Sequence, residues 1–131
     1  MIEIIPDLWI YKYKDIKNLN TNNIEIIDCT KDLCFLTNNE DRIKYELVKL
    51  YQYIDEKIKV INNKLLNNKT IIITCKSCKQ LSPLIATSYL IKYGQMEIID
   101  ALKSVRTKKQ DVFENEVMFS NILDKIYRDS K

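Results

Sequence analysis

Four cysteines, at positions 29, 34, 75 and 78, are the strongest nucleophiles in the chain, and no histidine accompanies them. Without an imidazole, every serine-histidine, cysteine-histidine and histidine-metal mechanism is removed, so a thiol must find its activation elsewhere. Cys75 has a source of it. The apolar run Ile71–Thr74 reads as a strand, and Ser82-Pro83 reads as the first turn of a helix. A thiol between the two stands near a helix N-terminus, whose dipole favours the thiolate. Lys76 and Lys79 add mobile positive charge to the same stretch. The bland reading of a strand-end cysteine is a small buried hydrophobe. Cys75-Lys76-Ser77-Cys78 also has the C-x-x-C spacing of a dithiol redox switch or, with Cys29 and Cys34 as a second pair, of zinc. Redox sites of that kind usually follow the first strands of their fold, whereas most of the sheet here precedes Cys75. The zinc reading lacks knuckle turns around Cys29 and Cys34. No metal and no cofactor are therefore expected, and the loop 75–81 is the site candidate.

The elements that position this loop are short. Asparagine-rich spots at 18–23, 38–39 and 67–68 read as turns, and between them lie the β-branched runs Ile2–Ile5, Leu8–Tyr11, Ile24–Asp28, Leu33–Leu36 and Ile71–Thr74. These runs are almost continuously apolar, as in strands covered on both faces. Leu47, Leu50, Tyr51, Ile54, Ile58, Ile61 and Leu65 recur at steps of three and four, one stripe along a long helix. A second helix begins near Ser82-Pro83 and ends before Gly94, the only glycine. A third carries Ile98, Ile99, Leu102 and Val105, and a fourth Val117, Met118, Ile122, Leu123 and Ile126. Strands, a helix, one strong strand and three helices make an α/β order with a parallel or mixed sheet. Ligands of such sheets bind at the carboxyl ends of the strands, which is where Cys75 falls.

Size and charge bound the rest. The 131 residues, of 15.6 kDa, make one domain over 1–131 with a single core. Twenty-one basic and 18 acidic residues give a net charge of +3, too balanced to imply nucleic acid. No apolar run is long enough for a bilayer, and the N-terminus lacks the zones of a signal peptide, so a reduced, cytoplasmic setting is expected. Lys103, Arg106, Lys108 and Lys109 form a small basic cluster after the third helix. Its default reading is a solvated helix end favoured by the dipole; its other reading is a dock for an acidic partner.

The stretch Ile71-Ile72-Ile73-Thr74-Cys75-Lys76-Ser77-Cys78-Lys79-Gln80-Leu81-Ser82-Pro83 resembles the signature of cysteine-dependent dual-specificity phosphatases. That signature is an apolar strand, histidine-cysteine, five residues, arginine, then serine or threonine at a helix start. Ile5–Ile10 and Ile26–Thr30 are similar to the family's opening strands, Ser88–Met96 to the end of its signature helix, Ala101–Arg106 to the next helix, and Asn115–Leu123 to its last segment. The likeness spans nearly the whole chain in the right order. It implies a single-domain dual-specificity phosphatase-like fold, with a central, mostly parallel sheet of four or five strands flanked by helices.

The resemblance also assigns roles. Cys75 matches the nucleophile, Ser82 the hydroxyl that assists the leaving thiolate, and Lys76, Ser77, Cys78, Lys79, Gln80 and Leu81 the phosphate loop. Asp41, beside Glu40, lies in the region of the acid that protonates the departing oxygen. Thr74 replaces the usual histidine, Cys78 a usual glycine, and Leu81 the arginine. Leucine has no bidentate fork for a phosphate dianion. Loss of such a contact costs several kcal/mol, about three orders of magnitude in rate. The expectation is a catalytically silent pseudophosphatase that binds a protein or phosphoprotein, with room for a homodimer. If it does turn over, it is a phosphoprotein phosphatase with Cys75 as nucleophile and a lysine in place of the arginine.

Overall fold

The computed structural model describes residues 2–12, 24–28, 40–75, 81–108, 110 and 120–130. Lys12, Asp28, residues 40–47, Cys75, Leu81 and Ser120 are described by their backbone position alone. The elements are β1 (Ile2–Ile5), β2 (Leu8–Lys12), β3 (Ile24–Asp28), α1 (Glu40–Leu66), β4 (Thr70–Cys75), α2 (Leu81–Lys92), α3 (Ile98–Lys108) and α4 (Ser120–Asp129). The expected strand Leu33–Leu36, the turns at 18–23 and 38–39, and the helical residues Val117 and Met118 lie outside the described residues.

The strands form one sheet in the order β1-β2-β4-β3. β1 and β2 make an antiparallel hairpin, while β4 is parallel to both β2 and β3, so the sheet is mixed and mostly parallel, as expected. Pro6 and Asp7 turn the hairpin. Proline fixes the first turn residue near φ −65°, and Asp7 takes φ 70°, the left-handed value that a type II turn requires at its second position. The turn is fastened to β4: Asp7 accepts the Ile71 backbone N–H at 2.7 Å and, through Oδ1, the Thr70 hydroxyl at 3.2 Å. The register of the parallel ladder is thereby set at its first rung.

Alternation sorts the strand side chains. Leu8, Ile10, Ile27, Ile71 and Ile73 face the helices and join one core with Leu50, Ile54, Ile58 and Ile61 of α1. Ile72 and Thr74 point to the opposite face and are also buried, but Ile26 on that face is 37% exposed, so coverage of the second face is incomplete at β3. The α1 stripe from Leu50 to Ile61 lies where its spacing predicts. Its end is a Schellman motif: Asn68 adopts φ 61°, Lys69 N–H reaches the Lys64 carbonyl at 3.0 Å, and Asn68 N–H reaches that of Leu65 at 3.1 Å.

α2 is the hub. Every residue from Ser82 to Ile91 is buried, because the helix packs on β4 and touches α1, α3 and α4. Two of its buried hydroxyls find partners within the helix: Thr87 donates to the Pro83 carbonyl at 2.7 Å and Ser88 to that of Leu84 at 2.8 Å. The α3 stripe needs one correction. Ile99 is 62% exposed and Ala101 takes a core position with Val105, because Ile98, Ala101, Leu102 and Val105 share a face that Ile99 misses by about 100°.

Candidate functional site

β4 ends at Cys75 and α2 begins at Leu81, so the five residues between them link a central strand to the N-terminus of a buried helix. The parallel neighbours end at the same edge: Lys12 is the register partner of Cys75, and Asp28 that of Thr74. The carboxyl ends of three parallel strands thus converge with a helix start, the place where an open α/β sheet receives ligands. The first N–H groups of α2 have no intrahelical acceptor and its dipole favours an anion. Lys12 escaped the sequence reading. Its signal was the lysine that closes the apolar run Leu8–Tyr11, but only the register shows that its backbone lies beside Cys75.

Ser82, the second residue of α2, is fully buried, unlike an ordinary solvated first-turn serine. Thr74, where the family signature has histidine, is fully buried as well. Its Oγ1 has no hydrogen-bond partner among the described residues. A buried, unsatisfied hydroxyl costs about 1–3 kcal/mol, so the edge of β4 carries a polar atom that nothing described repays. Leu81 is the first residue of α2, and Asp41 the second residue of α1. Lys76, Ser77, Cys78, Lys79 and Gln80 lie outside the described residues, as do Cys29 and Cys34. Among the described residues no group of three or more cysteine, aspartate or glutamate side chains could hold a metal ion. Nor is any described helix long and apolar enough to cross a membrane.

The far end of α2 is tied down by charge. Lys92 donates to Asp55 of α1 at 2.7 Å, and Lys59 approaches the same carboxylate at 3.1 Å. Burial pushes the Asp55 carboxyl up, but the two ammoniums outweigh it and hold the group below its ordinary value. Beyond Lys92 the chain leaves through Gly94, where an added Cβ would lie 2.5 Å from the Leu90 carbonyl oxygen. Glycine is there for clearance: the left-handed residue of this turn is Gln95, with φ 54°.

Comparison with known proteins agrees with this arrangement. The structure resembles the crystal structure of a leucine rich repeat and phosphatase domain containing protein from Entamoeba histolytica, with a TM-score of 0.69 and 15% identity over 98% of this chain and 90% of that one. It also resembles Tk-PTP in its active form, with a TM-score of 0.58 and 14% identity over 79% of this chain and 77% of that one. At such identities these likenesses establish the fold. No curated protein matches the sequence. The profile of the family described as "Dual specificity phosphatase, catalytic domain" matches residues 8–126. With residues 8–126 of the chain matched, this protein belongs to the dual specificity phosphatase catalytic-domain family.

Proposed function

We propose that this chain is a phosphatase-like binding module, a pseudophosphatase that recognises a protein or phosphoprotein partner without turning it over. The reading is carried by Leu81. It is the first residue of α2, six residues after Cys75, where the family signature has its arginine. A guanidinium at that point donates two hydrogen bonds to equatorial phosphate oxygens and neutralises charge as it develops. Leucine does neither. What the chain keeps is compatible with weak binding: a helix N-terminus, a buried Ser82, and Lys76 and Lys79 in the loop sequence.

Hydrolysis of an aryl phosphate separates this module from an enzyme. The parent protein and Cys75→Ser are expected to be indistinguishable from buffer, whereas Leu81→Arg is expected to gain Cys75-dependent turnover. A parent rate within tenfold of Leu81→Arg, abolished by Cys75→Ser, would refute the silent reading. Lys79→Ala identifies the residual-phosphatase alternative, because it would remove such a rate. Titration with a phosphotyrosine peptide and its unphosphorylated form tests the binding half, with preference for the phosphorylated form expected.

A further inference from the structure

A second surface lies away from the Cys75 loop. Among the described residues, a groove of about 440 Å³ runs between β1 and α3. Its floor is apolar, made by Ile4 and Ile5 of β1, Leu90 near the end of α2, and Met96. Its wall is one face of α3, where Lys103 and Lys108 stand with Ser104 and Thr107 between them. Both lysines are exposed, and neither has a carboxylate within ion-pair distance among the described residues. The one acid on this wall, Asp100, sits in the first turn of α3, where the helix dipole favours it.

The groove is remote from the phosphatase loop. Ile5 pairs with Leu8, and Leu8 with Ile71, at the start of β4, whereas Cys75 is at its end, about 13 Å away at strand rise. Leu90 is likewise nine residues beyond Leu81, about 13 Å along the helix. The two ends of α2 therefore serve different surfaces.

We propose that this groove docks an acidic peptide segment of a partner protein, which seats an apolar side chain on Ile5 and Met96 and sets carboxylates against Lys103 and Lys108. Charge chooses this occupant. A second copy meeting the groove about a two-fold axis would bring each basic rim against its twin, and the chain as a whole carries +3. A nucleic acid would find two lysines and an aspartate, too few cations to follow a phosphate backbone. An apolar floor edged by lysines with no carboxylate partner among the described residues matches an amphipathic acidic strip, with the apolar contact providing adhesion and the rim its charge preference.

The test uses the full chain and a fluorescein-labelled, eight-residue peptide alternating glutamate and leucine, read by anisotropy. Saturable binding is expected, weakened about tenfold or more by the double substitution Lys103→Glu, Lys108→Glu and by raising salt. Ile5→Asn should weaken it without altering the salt dependence. The lysines are exposed, so an unchanged melting temperature shows that the double variant is folded. Four results would overturn the proposal: no saturation at millimolar peptide, double-variant affinity within twofold of the parent, equal binding of a lysine-leucine peptide, or displacement of the peptide by a single-stranded oligonucleotide. A concentration-dependent dimer in sedimentation, lost in the double variant, would assign the groove to a second copy instead. Because Leu81→Arg leaves the groove untouched, peptide binding survives or fails independently of the phosphatase test.

Discussion

On the proposed reading, Leu81 at the first position of α2 stands where the family signature has arginine, and a branched apolar group and a delocalised cation differ most when an anion carries extra charge. Vanadate, a trigonal-bipyramidal mimic of phosphoryl transfer, reads that difference without turnover. Leu81→Arg should tighten vanadate binding by about thirtyfold to 150-fold, the worth of a charge-assisted hydrogen bond of roughly 2–3 kcal/mol. Isothermal titration against the parent measures it. Equal affinities would mean that the loop sequence, with Cys78 in place of a glycine, does not form the anion cradle at all. Gly94 makes a second argument at this scale. Its clearance from the Leu90 carbonyl leaves no room for a methyl group, and the obstacle is backbone that cannot rotate away. Gly94→Ala should therefore cost about 1–3 kcal/mol of stability in urea unfolding, the usual penalty for forced overpacking. A change below 0.5 kcal/mol, within the range of ordinary surface substitutions, would show that the turn yields easily.

The elements differ in how far the sequence betrays them. α1 is legible because one face is apolar and the other is not, so Leu50, Ile54, Ile58 and Ile61 announce their phase. α2 is buried all round, so periodicity says nothing about it, and only Ser82-Pro83 and Gly94 mark its limits; Leu81, the first helical residue, precedes the signal. In α3 the residue type misled: isoleucine at 99 looks like core and alanine at 101 does not, yet phase decides. Left-handed turn residues are also hard to read in a chain with one glycine, since Asp7, Asn68 and Gln95 take those conformations. Asn68 is the readable case, because asparagine tolerates the left-handed region better than other branched residues. Replacing it tests the α1 end. Asn68→Val should lose about 1–2 kcal/mol by forcing a β-branched residue into that region, while Asn68→Gly should be neutral or slightly stabilising. Equal midpoints for the two variants in thermal unfolding would remove the Schellman motif as the device that turns α1 into β4.

At the scale of the whole molecule, contacts between distant segments stay hidden in the sequence, because spacing speaks only of neighbours. Tyr51 of α1 donates to Asp129 of α4 and Tyr127 to Glu97, and no periodicity announces either. The tie between Asp55 and Lys92, 37 residues apart, links α1 to the far end of α2, and it makes stability depend on acid. Burial raises the Asp55 carboxyl, Lys92 and Lys59 lower it by more, and the net result is a folded-state value below the ordinary 3.8. The folded protein therefore binds this proton less readily than the unfolded chain does. The stabilisation is complete above pH 3.8 and disappears as the pH falls through the lower folded value. Asp55→Asn keeps the shape, removes the charge and leaves Lys92 half-buried opposite an amide. At pH 7 it should cost about 1–3 kcal/mol, as for a lost hydrogen bond to a charged group. The gap between parent and variant should then narrow as urea unfolding is repeated from pH 5 down to pH 2.5. A gap that stays constant over that range would mean that packing, and not the ion pair, joins the two helices.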